Sequence, residues 1–597
     1  MSARDWLDNA HRRGVLDALD VMLAQSLVAT AGEQNEQLLW LVALLSYQHR
    51  QGHVCLDLRR TPSAPFDQPD CPWQVPSLES VQQYASPLVG GPGENCPLIL
   101  DGPRLYLRRH WSAEQRVAQA LRARCVVQEH DAAALGNITD SIFPGNADVW
   151  QRTAAVNCAL HRFGVITGGP GTGKTWTVTR MLALQCLLAQ HAGRPLPRIA
   201  MAAPTGKAAA RLTEALQAAL PDLPVADSIK ALLPDEAVTL HRLLAMDMHG
   251  APRHHRERPL PFDLVVVDEA SMIDLGLMAQ LVAALPDEAS LYLVGDRDQL
   301  ASVQAGSVFA DVCGEAHNRF DADTAARLQK VGIEVPVDTQ CQPMDSAVVR
   351  LQKVHRFAGD SAIAAIANAV RSHDGEALAV LRDTPHDDLR WLPASSDAIH
   401  DVLREHYQAL VQAAMDGVEA GTLLATFARF RALAATRRGP LGVEQLNERI
   451  EQHLHQHFGF GTARWYPGKT VMLKHNDWNL RLFNGDIGIC VKEPASDQLA
   501  VAFPAVDGGV RFVAPARLPD GEPAWAMTIH KSQGSEFHRV LLVLPAEDSP
   551  VLTRELLYTG ITRAREQLML AANPAQLSAC MARPVYRASG LYQRLRD

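Results

Sequence analysis

No two of the ten cysteines stand in a Cys-x-x-Cys pair. Cys55, Cys71, Cys96 and Cys125 come first, and Cys158, Cys186, Cys313, Cys341, Cys490 and Cys580 follow at wide, irregular gaps. That pattern argues against a zinc or iron–sulfur site and for buried free thiols. Long apolar runs are also missing. The longest, around Leu38–Tyr47, is far too short to cross a bilayer. The opening MSARDWLDNAHRR puts Asp and Arg where an export signal needs apolar side chains. A cytoplasmic protein without membrane contact is therefore expected. Nor is there an excess of positive charge. The formal net charge is −9 at pH 7, so the chain as a whole does not attract polyanions. Nucleic acid, if bound, would need a locally basic groove. Internal repeats and low-complexity tracts are absent as well.

What is present is ordinary material for large cores: 597 residues, 47% hydrophobic and 21% charged, enough for roughly three or four domains. One stretch organises the rest, Gly168-Gly169-Pro170-Gly171-Thr172-Gly173-Lys174-Thr175. Glycines at this spacing let backbone N–H groups turn inward around a β-phosphate. Lys174 then reaches the β- and γ-phosphates, and the Thr175 hydroxyl holds Mg²⁺. Before the loop, residues 163–167 form a short apolar run. After it, Trp176, Val178, Met181, Leu182, Leu184 and Leu188 have helical spacing. The loop is thus expected between a strand and a helix N-terminus, where free amides favour an anion. ATP and Mg²⁺ are the implied cofactors.

Taken in order, residues 1–112 predict a mainly helical N-terminal domain. It has a buried helix around 38–45 and a hairpin whose turn is Asp101-Gly102. No catalytic constellation stands out there, and partner binding or packing on the remainder is the expected role. Residues 113–345 alternate strand and helix, which predicts a parallel sheet covered on both faces, with strands at 198–203, 264–268 and 291–294. A short polar insert, 246–262 (MDMHGAPRHHRERPLPF), suggests a protruding hairpin. Residues 346–597 predict a second such domain, with a helix at 362–371 and strands at 422–427, 540–544 and 568–571. Within it, residues 463–516 switch to short strands at 471–474, 487–491, 499–503 and 510–513 separated by turns such as Asn484-Gly485-Asp486, the pattern of a small inserted antiparallel barrel. The fold class is α/β.

The partner of a phosphate loop is an apolar strand ending in acid, here Leu264-Val265-Val266-Val267-Asp268-Glu269. Asp268 is placed to hold Mg²⁺ through water and Glu269 to orient or deprotonate the attacking water. In Leu293-Val294-Gly295-Asp296-Arg297-Asp298-Gln299-Leu300, the Gln299 amide can donate to a γ-phosphate and accept from water. Transition-state charge calls for arginine. Arg356 and Arg563 stand in suggestive places, with the polar segment 528–537 (TIHKSQGSEF) between them ahead of an apolar strand.

Together these pieces resemble the superfamily 1 helicases. In detail the chain is similar to the RecD family, the alpha subunits of exonuclease V (the RecBCD complex). The resemblance rests on GGPGTGKT, on Ala203-Pro204-Thr205-Gly206-Lys207-Ala208-Ala209-Ala210-Arg211-Leu212, on Thr239-Leu240-His241-Arg242-Leu243-Leu244, and on VVVDEASM, LVGDRDQL, TIHKSQGSEF and YTGITRAR. It covers nearly the whole chain, including 53–56 and 97–108 near the start. It implies two RecA-like parallel-sheet motor domains with a small SH3-like β-barrel inserted in the second, and a DNA helicase moving 5′→3′ on single-stranded DNA in double-strand break repair. RecB-like and RecC-like subunits, duplex DNA ends and a nuclease in a partner subunit belong to the same implication. So do residue roles: Gln151 reading adenine, Arg356 and Arg563 on the γ-phosphate, and Pro204, Thr205, His241, Gln304 and His530 on the strand. The aromatic side chains Trp465, Trp478 and Phe483 are candidates for base stacking. Two other readings stay open, a stand-alone helicase of the same superfamily and an ATP-gated scaffold that never translocates. No residue excludes RNA.

Overall fold

The structure, a computed structural model, describes all residues except 1, 33–34, 61–65, 67, 69–70, 84–85, 356–360, 478, 481, 495, 506–508 and 519. Three helices open the chain, Ala3–Arg12, Ala18–Thr30 and Glu36–Arg50. The third is buried without a break from Leu38 through Tyr47, because it is apolar on every side and the other two helices and a small sheet enclose it. That sheet orders its strands Cys55–Asp57, Arg104–Leu107, Leu98–Asp101, Val89–Gly90. Its central hairpin closes at Gly102, whose φ of 55° suits a residue without a Cβ.

The first motor lobe is built on six parallel strands in the order Val348–Arg350, Phe163–Thr167, Ser290–Gly295, Leu264–Val267, Ile199–Ala203, Val238–Thr239. Apolar side chains on both faces explain why these strands read as continuous hydrophobic runs. The second lobe has five parallel strands, Leu389–Leu392, Ala564–Ala571, Phe537–Val543, Phe430–Ala434, Ala526–Thr528.

Three sequence expectations need correction. The segment 422–427 is helical, within Ala420–Arg429, because its buried residues Ala420, Leu423 and Phe427 recur at helical intervals; the strand follows at Phe430–Ala434. The first sheet takes its edge strand from Val348–Arg350, beyond the expected boundary at 345, since Val348 and Val349 are apolar and pair with Val165 and Ile166. The last residues do not stay with the second lobe. Helix Leu591–Arg596 packs on the helices Arg108–Arg124 and Val308–Cys313, and Ala588, Leu591 and Leu595 join the first lobe's core.

The insert is an antiparallel sheet ordered Val510–Val513, Leu499–Pro504, Ile487–Lys492, Thr470–Leu473, Gly521–Pro523. Among the described residues no pairing joins its two edge strands into a closed barrel. Alternation divides its side chains: Val471 and Leu473 fill its own small core, while Met472 faces the core of the second lobe. Segment 246–262 is a short excursion whose one bridge is His255 to Arg258.

Candidate nucleotide site between two lobes

The loop at 168–175 is cramped in ways that require glycine. Gly171 and Gly173 have φ of 79° and 81°. A Cβ on Gly168 would stand 2.7 Å from Thr172 Oγ1 and 3.1 Å from Leu351. Pro170 stands in the turn between Gly169 and Gly171, and the helix Lys174–His191 begins directly after Gly173. Lys174 Nζ donates to the carbonyls of Gly168 at 2.8 Å and Gly169 at 3.2 Å. Thr175 is half-buried on the first helical turn.

Gln151, from the preceding helix Val149–Leu160, is buried and donates from Nε2 to the Thr172 carbonyl at 3.1 Å. A Cβ at Gly173 would come within 2.5 Å of that nitrogen. Its amide therefore braces the loop from behind. Arg356 lies outside the described residues. Just before it, the His355 N–H donates to the Gly171 carbonyl at 2.8 Å.

Two acidic strand ends face the loop. Asp268 follows Leu264–Val267 and accepts from the Glu269 N–H at 2.8 Å. Burial, reinforced by the Glu269 charge, pushes Asp268 up to about 6, and Lys174 opposes the shift. Glu269 has a φ of 52°, in the left-handed region that side chains avoid; such strain accumulates at working sites. Asp296, at the end of Ser290–Gly295, is pushed up to about 6 by burial and again opposed by Lys174. A buried carboxylate, a threonine hydroxyl and a cradle too tight for a Cβ at Gly168, Gly169 or Gly173 suit Mg²⁺-nucleotide. Thr175 and Asp268 would hold the metal, which would supply positive charge to the transferring phosphate.

The second lobe reaches directly into this site. Arg563 is 2% exposed. It donates from Nη2 to Gln299 Oε1 at 2.7 Å, from Nη1 to the Ser535 carbonyl at 2.9 Å and from Nε to the Thr559 carbonyl at 3.1 Å. Gln299 in turn donates to Asp296 at 3.0 Å. Tyr558 donates its hydroxyl to the same Asp296 oxygen at 3.1 Å, and a Cβ on Gly169 would lie 2.9 Å from that hydroxyl. Leu300 is held on both sides, its N–H by Thr559 Oγ1 at 2.9 Å and its carbonyl by Gln533 Nε2 at 3.1 Å. Farther along the cleft, Arg211 bridges to Glu536 at 3.0 Å and donates to the Gly534 carbonyl at 2.8 Å.

Lys174, Asp268, Glu269, Gln299 and Arg563 are thus brought together. Asp296, Tyr558 and Arg211 were not singled out from the sequence, although each lies inside a quoted motif. The residues expected on the strand scatter along the strand-end loops, the ligand-facing edge of open α/β sheets. Pro204 is buried directly after Ile199–Ala203. Thr205 spends its hydroxyl capping the helix Gly206–Ala219. His241 and Gln304 are exposed, and His530 is half-buried with its protonated form disfavoured by burial. Of the aromatic candidates, Trp465 packs against the insert's core, Phe483 is 39% exposed and Trp478 lies outside the described residues.

A phosphate loop, acidic strand ends and an arginine delivered by a second parallel-sheet lobe define a two-lobed P-loop nucleotide motor. Family models agree segment by segment: "RecBCD enzyme subunit RecD, N-terminal domain" over residues 12–106, "AAA domain" over 151–305 and "UvrD-like helicase C-terminal domain" over 523–571. RecBCD enzyme subunit RecD of Mycolicibacterium smegmatis is 38% identical over 98% of both chains. RecBCD enzyme subunit RecD of Haemophilus influenzae is 35% identical over 84% of this chain and 82% of its own. The ATP-dependent RecD2 DNA helicase of Deinococcus radiodurans is 31% identical over 83% of this chain but 59% of its own. A solved Pif1 helicase from Candida albicans aligns with a TM-score of 0.36 and 15% identity over 73% of this chain and 96% of that one. The chain belongs to the family of the RecBCD enzyme subunit RecD.

Proposed function

We propose that this chain is the ATP-dependent DNA helicase motor of a RecBCD-type exonuclease V, moving 5′→3′ on single-stranded DNA. One observation carries the reading: the Arg563 guanidinium of the second lobe meets Gln299 of the first, beside the Lys174 cradle. Lys174 and Arg563 grip the β- and γ-phosphates from opposite sides, so nucleotide binding favours a closed cleft. Glu269 activates water, and loss of the γ-phosphate removes the charge that holds the lobes together. The cleft-edge residues Pro204, Thr205, His241, Gln304 and His530 hold the strand, and alternate closing and opening moves it. Arg356 supplies a second positive charge, and Gln151 faces the adenine while bracing the loop. A match to the RecD N-terminal model over 12–106 favours a subunit that works with RecB-like and RecC-like partners at duplex ends in the cytoplasm. Nuclease activity belongs to a partner.

The test is ATP hydrolysis and strand displacement on DNA with a 5′ or a 3′ tail, with and without those partners. Single-stranded DNA should stimulate hydrolysis, and displacement should need the 5′ tail. Lys174→Gln should abolish both while the melting curve stays in place. Undiminished unwinding by that variant, or hydrolysis indifferent to DNA, would overturn the reading.

A further inference from the structure

A cavity of about 810 Å³ lies where the N-terminal region, both lobes and the C-terminal tail meet, and no residue of the phosphate loop lines it. Its size is that of a site for a small organic ligand. Arginines reach it from every side: Arg59, Arg60 and Arg104 from the N-terminal region, Arg297 from the first lobe, Arg371 and Arg554 from the second, and Arg587 from the tail. None of them forms an ion pair with a carboxylate among the described residues. Arg59 and Arg297 make no side-chain hydrogen bond there either. The remainder spend their donors on neutral groups: Arg104 on Gln593, Arg371 on Asn368, Arg554 on the Met581 carbonyl, Arg587 on the carbonyls of Gln304 and Gly306, while Arg60 lies over the Tyr586 ring.

The acids on the wall offset only part of this charge. Asp298 is already paired with Arg350 at 2.6 Å, outside the cavity. Glu315 is bonded to His317 at 3.0 Å. Asp311 and Glu555 are both shifted toward their neutral forms by burial. Asp57 accepts from the backbone N–H of Arg59 at 3.0 Å, a bond that leaves one carboxylate charge against the seven guanidinium groups. Guanidinium groups gathered in a concave site repel one another and favour an anion with several acceptor oxygens, which they can bind in bidentate fashion. Tyr586 and Tyr592, 46% and 40% exposed, stand on the same wall, each with a guanidinium over one ring face, Arg60 at 4.9 Å and Arg596 at 4.0 Å, so a base would take the opposite face.

We infer that this cavity is a second nucleotide-phosphate site, separate from the phosphate loop, in which arginines hold the phosphates and a tyrosine ring takes the base. Free nucleoside polyphosphate and a stretch of single strand share that chemistry. Gln299 and Tyr558 form part of its wall, so its occupancy bears on the contacts that close the cleft.

The probe is tripolyphosphate, titrated calorimetrically into the full chain already saturated with Mg²⁺-ADP. One further equivalent should bind. Arg59→Ala combined with Arg297→Ala should weaken it at least tenfold, while Lys174→Ala should retain it. Without ligand the double variant should melt no lower than the wild type, since it removes unpaired positive charge. Displacement by unphosphorylated (dT)15 identifies the strand as the source, and displacement by ATPγS a free nucleotide. No second equivalent in the wild type, unchanged affinity in the double variant, or displacement by neither competitor would overturn the assignment.

Discussion

At the cleft the two lobes touch mainly through polar atoms: Arg563 on Gln299, Tyr558 on Asp296, Thr559 and Gln533 on the Leu300 backbone. The Leu300 side chain, buried in the second lobe's core, is an apolar exception. At the tail, 583–597, the contact is of another kind. Leu591 and Leu595 are buried among first-lobe residues, each worth roughly 1.5–3 kcal/mol. Glu114, fully buried, accepts from Arg594 at 2.7 Å and from Tyr106, Ser589 and the Gly590 N–H at 3.1 Å each. The cleft bonds to the Leu300 backbone are worth about 1 kcal/mol net apiece and those to Arg563 and Asp296 about 1.5–3, and the phosphates of a ligand can take the place of the charged partners. A buried carboxylate with four donors cannot be exposed cheaply. One junction is therefore made to cycle with nucleotide and the other to stay shut, so the lobes should hinge about the tail.

The largest effect that tests this division, after loss of Lys174, comes from Arg563. Arg563→Ala should lower ATP turnover about 10³-fold, the scale of an arginine acting on a transferring phosphate. Labelled ADP should still bind within a few-fold, because the phosphate loop is untouched. A drop of less than tenfold would mean that the cleft contact is mere packing. Next comes the tail. Arg594→Ala strands Glu114 without its cation, and removing one partner of a buried pair costs about 3–5 kcal/mol. Thermal melting should show that loss, with turnover per folded molecule near wild type. A stable variant with impaired turnover would reverse the roles assigned to the two junctions.

Legibility in the sequence followed the same division. The cleft residues sit in short motifs whose chemistry depends on neighbours in sequence, so the loop at 168–175, Asp268-Glu269, Gln299 and Arg563 could be found before any coordinates. Asp296 and Tyr558 lay inside those motifs and went unnoticed because their importance is a contact across more than 260 positions, 3.1 Å long. The tail gave no signal at all. Arg594, Arg596 and Leu591 look like any amphipathic end, and only the fold shows that Glu114, Asp101 and Asp345 wait for them. The parallel strands were visible as apolar runs. The misreading of 422–427 arose because Thr, Leu and Phe suit either a strand or a buried helix, and spacing decides only once the inward face is known.

A smaller effect sharpens the cleft side. Tyr558→Phe deletes one hydroxyl from the Asp296 oxygen that Gln299 also serves. The loss of about 1.5–3 kcal/mol, the scale of a bond to a charged acceptor, should slow turnover about ten- to hundredfold and lower the melting temperature by no more than about 3 °C. Steady-state rates with saturating ATP and DNA decide it. An unchanged rate would place the closing interaction in Arg563 alone.

The smallest effect lies on the tail side and appears only as a pH dependence. Asp311 faces the Ser589 hydroxyl and, more distantly, Glu114, Arg596 and Arg104; burial dominates and pushes it up to about 7. In the unfolded chain the same group titrates near 3.8. Between those values the folded protein keeps a proton that the unfolded chain releases, so raising the pH across the window favours unfolding, by at most about 1.4 kcal/mol per pH unit. Below the window both states are protonated and the contribution is flat. Asp311→Asn cannot ionise and should remove this slope. Melting temperatures at pH 5, 6, 7 and 8 should therefore converge or cross, the variant gaining on the wild type as the pH rises. Parallel curves would mean that Arg596 and Arg104 hold Asp311 charged, and that the tail junction carries one more ion pair than burial alone suggests.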